Sequence, residues 1–226
     1  MNKILAGAYH RGFSRIIIDC GPRDPVEIDL ALRDKFYKLK DILDSDIQKE
    51  IFDEVGHSYD EYSQDVFGIS RIVKRDNKKF LIVPLDPIIY INSSGNEILP
   101  DRCVEVLANV FKSIMKEFYN ISGYLVLAYP RNNTIVNIEV ECDVEGVVRE
   151  LKSIYRTELI KDIREILASQ SERSLFLNSL VKGISDTDDA DEAIEIKYLF
   201  EAGEFDEVSL LTISNAVSTR LDRETY

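Results

Sequence analysis

Apolar residues recur along the chain with two different periods, and their spacing predicts where strands and helices lie. The segment 13–19 is short and rich in β-branched residues, and Gly-Pro follows it, so it predicts a buried strand. A capping sequence at 24–27 precedes apolar residues at helical spacing that continue to about Asp44. Further capping sequences predict two shorter helices, at 45–55 and 58–67.

Beyond these helices, apolar segments lie in pairs on either side of short polar turns. The first pair is 69–74 and 79–85, and the second pair is 123–129 and 134–142. Each pair predicts a β-hairpin, because a polar turn between two β-rich segments favours antiparallel pairing. The segment 87–91 predicts one more strand, with a proline at its start.

The remaining apolar residues lie at helical spacing. A helix that begins at Asp101 is predicted between the hairpins. From residue 143 onward the pattern is helical throughout. It predicts a long amphipathic helix to about Ser169, a short helix at 172–182 that ends at Gly183, and a last helix at 206–222.

These elements predict an α+β fold with a mostly antiparallel sheet. The sheet is built from two hairpins with amphipathic helices, and an all-helical C-terminal part follows it. Residues 1–142 are predicted to form the α+β domain, with a portion that resembles a winged helix. Residues 143–226 are predicted to form a helical region, packed on that domain or used for assembly. The segment 184–191 has the composition of a linker.

Composition changes this picture by excluding whole classes of protein. Hydrophobic residues make up 45% of the chain and charged residues 31%, as is ordinary for a soluble globular protein. No apolar run approaches the ~18–20 residues of a membrane span, and the first residues lack the apolar stretch of a signal peptide. The three cysteines are widely spaced, which indicates reduced, mostly buried thiols. We therefore expect a cytoplasmic protein without membrane contact.

The charge of the chain is strongly negative and unevenly distributed. The net charge is −13, and residues 41–66 carry one base and nine acids, or −8. Residues 185–226 carry three bases and twelve acids, or −9. Such a chain repels nucleic acid at long range, so any nucleic-acid contact requires a local basic patch or a partner.

Several kinds of catalytic and cofactor chemistry are excluded by residue type. The chain has two histidines, His10 and His57, which argues against histidine-rich zinc sites and most Ser-His-Asp arrangements. Neither of the common glycine-rich nucleotide-binding motifs is present. The cysteines also lack the spacing of zinc ligands. We expect no cofactor, no metal ion and no catalytic residues.

One alternative keeps an enzymatic function open. If residues 192–200 form a strand, Glu195 and Lys197 share a face. Glu195 together with Asp188 or Asp191 is then suited to hold a divalent ion, and Lys197 to position the attacking water. The chain is then a metal-dependent nuclease. On a helix the two side chains diverge by ~200° and no site forms. The capping sequence at 189–192 favours the helix.

A second form of the nuclease hypothesis comes from the order of the elements. Helix 59–67, strands over 69–91, helix 101–119 and strand 124–129 follow the α-β-β-β-α-β order of restriction-endonuclease-like folds. That pattern places an acid near the second strand, where Asp86 lies, and a Glu-x-Lys motif on the third strand. The third strand predicted here contains neither an acid nor a lysine. Element order by itself says little about function.

A basic cluster on the first hairpin is the other candidate site. It consists of Arg71, Lys74, Arg75, Lys78 and Lys79. Three predicted helices precede the hairpin, as in a winged helix whose wing contacts DNA phosphates. We therefore predict a weak nucleic-acid contact through the 69–84 hairpin.

Together these features predict a non-catalytic subunit of a larger multi-protein assembly. The expected partners are proteins, bound through the helical C-terminal region and the acidic faces, in a homo- or hetero-oligomer. A nucleic-acid-handling machine is one assembly that this prediction allows. The metal-dependent nuclease remains the alternative.

Overall fold

The computed structural model describes residues 3–8, 14–36, 67–85, 90–91, 97–98, 101–131, 134–137 and 145–223. The chain forms two units, one of residues 13–153 and one of residues 1–12 with 154–226. The division falls inside a long helix, and the N-terminal helix belongs with the C-terminal ones. Among the described residues, no helix is both long and apolar enough to cross a lipid bilayer.

A four-stranded antiparallel sheet forms the centre of the first unit. Its strands lie in the order β2 (Arg71–Arg75), β3 (Lys78–Pro84), β1 (Arg15–Asp19) and β6 (Ser122–Val126). The first strand in sequence is therefore a central strand of the sheet. All five of its residues are buried, as its β-branched composition predicts.

One face of this sheet builds the main core of the unit. It packs against a helix described over 25–36, here α2, and against α3 (Asp101–Glu117). Alternate strand residues point to the same face, so Ile16, Ile18, Leu81 and Val83 all enter this core. The helices contribute the apolar residues whose helical spacing predicted them. These are Ile28, Leu32, Phe36, Leu107, Val110, Phe111, Ile114 and Phe118.

Arg33 ties α2 to the chain segment that leads into β2. Its guanidinium donates to the Gly68 carbonyl at 2.7 Å and to Ser70 Oγ at 2.9 Å, and it pairs with Asp29 at 3.2 Å. Ser70 Oγ in turn donates to Asp29 Oδ1 at 2.8 Å. Because each polar group in this cluster meets another, the start of β2 is held in one place.

Two smaller antiparallel pairs are the other strands that the structure describes in this unit. The strands β7 (Ala128–Arg131) and β8 (Thr134–Asn137) pair with each other near the second predicted turn. The prediction of this hairpin is otherwise wrong, because most of its first strand, 123–129, lies in β6 and pairs with β1, and the central sheet contains only the first predicted hairpin. The strands β4 (Tyr90–Ile91) and β5 (Glu97–Ile98) pair with each other rather than with the central sheet. The predicted third strand therefore begins a separate two-stranded sheet in the described part of the chain.

The described elements of the second unit are all helices. They are α1 (Lys3–Ala8), the part of α4 (Glu145–Ala168) from residue 154, α5 (Gln170–Asp186), α6 (Ala190–Ala202) and α7 (Glu207–Asp222). Their buried apolar residues come from every helix of the unit. The long helix and the last helix lie where their apolar spacing predicts them.

Two predictions in this region are wrong. Gly183 does not end a helix, because α5 continues to Asp186. The segment 184–191 is not a linker either, since Ile184 is fully buried and only three residues, 187–189, separate α5 from α6. The glycine has a packing role instead: a Cβ at Gly183 would lie 2.5 Å from Cγ2 of Ile4 in α1.

The architecture is thus α+β, with an antiparallel sheet and a mostly helical C-terminal part. Several predicted features lie outside the described residues and remain predictions. They include the helix at 45–55 and all of the helix at 58–67 except Phe67, which are needed for a winged helix, and the residues Asp86, His10 and His57. Phe67 is described and forms an isolated β-bridge with Leu85 instead of a helix end.

Candidate functional site

The basic hairpin forms as predicted, and its register separates the five basic side chains. Asp76 and Asn77 make the turn with φ of 47° and 64°, the left-handed pair that a tight two-residue hairpin turn requires. This turn places Lys74 opposite Lys79 and Arg75 opposite Lys78. Because side chains alternate along a strand, Lys74 and Lys79 lie on one face and the other three bases on the opposite face.

Lys78 is held by two carboxylates of its own unit. Its ammonium pairs with Glu150 at the start of α4 and lies 3.5 Å from Asp19 at the end of β1. The hydrogen bond to Glu150 is the main cause that raises the pKa of Lys78 above its ordinary value of 10.5. Arg75 on the same face reaches Ser153 Oγ at 3.3 Å. This face of the hairpin therefore contacts α4 within the unit.

Lys74 and Lys79 are both exposed and lie directly opposite each other. No ion pair joins either ammonium to a carboxylate in the described part of the chain. Like charges in directly opposed positions repel, so an acidic group bound between them would relieve that repulsion. Of the five predicted contact residues, this pair is the part best suited to receive an external anion.

The segment that contains Glu195 and Lys197 is a helix. Asp189 caps α6 and accepts from the backbone N–H of Asp191 at 3.1 Å and of Glu192 at 3.2 Å. This is the cap that the sequence predicts. Lys197 lies 3.9 Å from Glu201, one helical turn further on.

The helix removes the geometry on which the nuclease alternative depends. Glu195 and Lys197 point ~200° apart around α6, and Asp188 lies before the cap. The structure thus does not bring the three residues onto one face. Among the described residues, no cluster of three His, Cys, Asp or Glu side chains is arranged to hold a metal ion.

A further surface lies on α7, and it was not predicted from the sequence. We call Val208, Leu211, Asn215 and Ser218 the outer face of α7, because all four side chains are exposed at successive helical turns. Val208 is 65% exposed and Leu211 is 54% exposed. The available signal was a run of twelve residues without charge, Val208–Thr219, with apolar residues on both sides of the helix.

Acidic residues lie next to this face at the N-terminal end of α7. Glu204 and Glu207 are exposed there. Asp206 caps the helix, accepting from Ser209 N–H at 3.1 Å and from Ser209 Oγ at 2.7 Å, and it pairs with Arg173 of α5. Partial burial raises the pKa of Asp206, but the Ser209 hydrogen bonds and the Arg173 charge outweigh burial and lower the pKa overall. The cap therefore stays ionised at neutral pH.

The fold thus defines an α+β protein with an antiparallel sheet unit and a helical unit. Neither a family model, nor a curated protein, nor a solved structure matches the chain.

Proposed function

We propose that this protein is an interaction subunit that binds a partner protein through the outer face of α7. The observation that carries the proposal is the exposure of Val208 and Leu211 on a helix without charge between Val208 and Thr219. In a chain with 31% charged residues, such an uncharged stretch is unusual for a solvated helix face. Exposed apolar residues next to polar ones are typical of protein interfaces.

The charge around this face specifies the kind of partner. Residues 185–226 carry three bases and twelve acids, and Glu204 and Glu207 are exposed at the start of α7. A complementary surface therefore has apolar side chains that meet Val208 and Leu211, with lysines or arginines beside them. A second copy of the chain is a poor fit, because it would bring the same acids close together.

Co-purification from the native host tests this proposal. Tagged wild type is compared with Val208→Asp/Leu211→Asp, and Leu30→Asp is the matched control because Leu30 is also an exposed helical leucine in the other unit. Partners that elute with wild type and Leu30→Asp but not with the double variant support the proposal. Equal recovery with all three proteins, or recovery with none, would contradict it.

The recovered partner then decides the kind of assembly. A nucleic-acid-handling machine fits the proposal, because its proteins often carry the basic surfaces that an acidic subunit can bind. The nuclease alternative receives no support from the helical conformation of residues 190–202.

A further inference from the structure

The outward edge of β2 is a second place where the protein can bind another chain. Among the described residues the sheet order is β2-β3-β1-β6, so β2 is its outermost strand and pairs with β3 on one side. Four of its five side chains are exposed. Outermost strands carry backbone N–H and C=O groups that a further strand can use.

The hairpin turn determines which backbone groups point outward. In a two-residue hairpin the residues that flank the turn, here Arg75 and Lys78, exchange both backbone hydrogen bonds. Bonded and non-bonded pairs then alternate, so Lys74 and Ile72 belong to non-bonded pairs. Their N–H and C=O groups therefore point away from β3, in the spacing that an added strand requires.

Both ends of this edge are fixed before any ligand arrives. Arg33 holds Gly68 and Ser70 just before the strand, and the left-handed turn residues Asp76 and Asn77 hold its end. A rigid edge costs little conformational entropy on binding. The edge is thus suited to pairing with an incoming strand.

The side chains along the edge specify what kind of strand fits. Arg71, Lys74 and Arg75 give it a positive charge, while the exposed isoleucines Ile72 and Ile69 offer apolar contact. Edge lysines usually prevent pairing between identical strands, because two copies of β2 would repel each other. Ile72 is 48% exposed and Ile69 is 89% exposed. An edge that served only to prevent strand pairing would not expose apolar side chains in this way.

We propose that β2 binds an extended acidic peptide segment of a partner protein by strand addition. Backbone hydrogen bonds to Ile72 and Lys74 provide the pairing, and acidic side chains on one face of the peptide meet Lys74. A peptide fits better than nucleic acid, since a chain of net charge −13 repels a polyphosphate more strongly than a short peptide. Lys78 is also already held by Glu150 and Asp19.

The inference is separate from the outer face of α7, which belongs to the other unit. The two proposals therefore fail independently. Loss of peptide binding in a β2 variant, with partners of α7 still recovered, would concern the edge alone.

Fluorescence anisotropy with the full chain tests strand addition. The probe is a labelled peptide of about seven residues, long enough to pair along β2, in which glutamate alternates with valine. A second probe has the same sequence with N-methyl groups on alternate backbone nitrogens, which removes the donors but keeps every charge. We expect the methylated peptide to bind at least about ten-fold more weakly.

Two variants locate the binding. Lys74→Pro removes both an outward N–H and the Lys74 ammonium without removing a bond to β3, and we expect it to weaken binding of the unmethylated peptide at least about ten-fold. Lys112→Glu changes the charge of an exposed lysine on α3 and should leave the affinity within about two-fold. Circular dichroism confirms that each variant is folded, and the methylation comparison does not depend on any variant.

Three results would overturn the proposal. The first is a lack of binding by the glutamate–valine peptide, and the second is equal binding of the methylated and unmethylated peptides. The third is displacement of the peptide by a single-stranded oligonucleotide that itself binds more tightly, which would assign the basic edge to nucleic acid instead.

Discussion

Gly183 of α5 and Ile4 of α1 approach so closely that a Cβ on Gly183 would lie 2.5 Å from Ile4 Cγ2. Real Cβ contacts of this length do not occur, and the atom that would have to move belongs to a β-branched side chain with restricted rotamers. Ile4 is itself buried. The missing side chain of the glycine therefore lets α1 pack against α5.

The first prediction concerns this contact. Alanine is a better helix former than glycine by about 1 kcal/mol, yet we expect Gly183→Ala to destabilise the protein by about 1 kcal/mol net because of the steric cost. Gly146→Ala in α4 is the matched control, since nothing lies within 4 Å of its added Cβ, and it should be neutral or stabilising. Urea unfolding measures both. If Gly183→Ala stabilises the protein as much as Gly146→Ala, the close packing is refuted.

The same glycine shows what could be predicted from the sequence and what could not. Local rules located the hairpin turn at Asp76 and Asn77 and the cap at Asp189, because turn and cap preferences depend on neighbouring residues. Gly183 and Ile4 are far apart in sequence, so local rules treated the glycine as a helix end. The five basic residues of the hairpin likewise lie on two faces because of the strand register, and Lys78 is paired by carboxylates that are distant in sequence. Local rules therefore did not predict this separation.

Asp206 provides the second prediction, which concerns pH. Because the folded pKa of Asp206 is lowered below 3.8, its ionised form stabilises the folded state. That contribution is fully present above pH 3.8 and is lost as the pH falls through the lowered folded pKa. Asp206→Asn keeps a capping oxygen but cannot ionise.

We therefore expect wild type to be more stable than Asp206→Asn at pH 7, by no more than about 1 kcal/mol because solvent screens the partly exposed pair with Arg173. The difference should shrink as the pH falls below 3.8. Denaturant unfolding of both proteins between neutral and acidic pH measures it. A difference that grows in acid would show that the carboxylate does not act in this way.

The third prediction concerns the buried thiol of Cys20. Burial is the main cause that raises the pKa of Cys20 to about 11, so at neutral pH almost none of it is thiolate. Thiolate is the reactive form, and the side chain is inaccessible as well. In a Cys103→Ser/Cys142→Ser variant, a disulfide reagent at pH 8 should modify Cys20 slowly when the protein is folded and rapidly in denaturant. Equal rates in both conditions would contradict the buried position.

The fourth prediction separates a structural role of Lys197 from a catalytic one. Its contact with Glu201 is a partly exposed pair one turn apart on α6, worth about 0.3–0.5 kcal/mol at most. Lys197→Ala should therefore change the unfolding free energy by a few tenths of a kcal/mol. Wild type and Lys197→Ala are each incubated with DNA and Mg²⁺ or Mn²⁺. We expect no DNA cleavage by wild type that is lost in the variant. Cleavage lost in that variant would restore the nuclease alternative despite the helix.

The last prediction contrasts the two lysines that the hairpin register separates. Lys78 pairs with Glu150 and Asp19, so Lys78→Ala should destabilise the protein by about 0.5–1 kcal/mol, within the range of partly exposed ion pairs. Lys74 faces the like charge of Lys79, so Lys74→Ala removes a repulsion and should change stability by only a few tenths of a kcal/mol. Urea unfolding gives the two stabilities, and anisotropy with the glutamate–valine peptide gives the two affinities. Lys74→Ala should lower the affinity more than Lys78→Ala does, even though it is the more stable variant. The reverse order of affinities would show that the face of Lys78, rather than the face of Lys74, receives the acidic ligand.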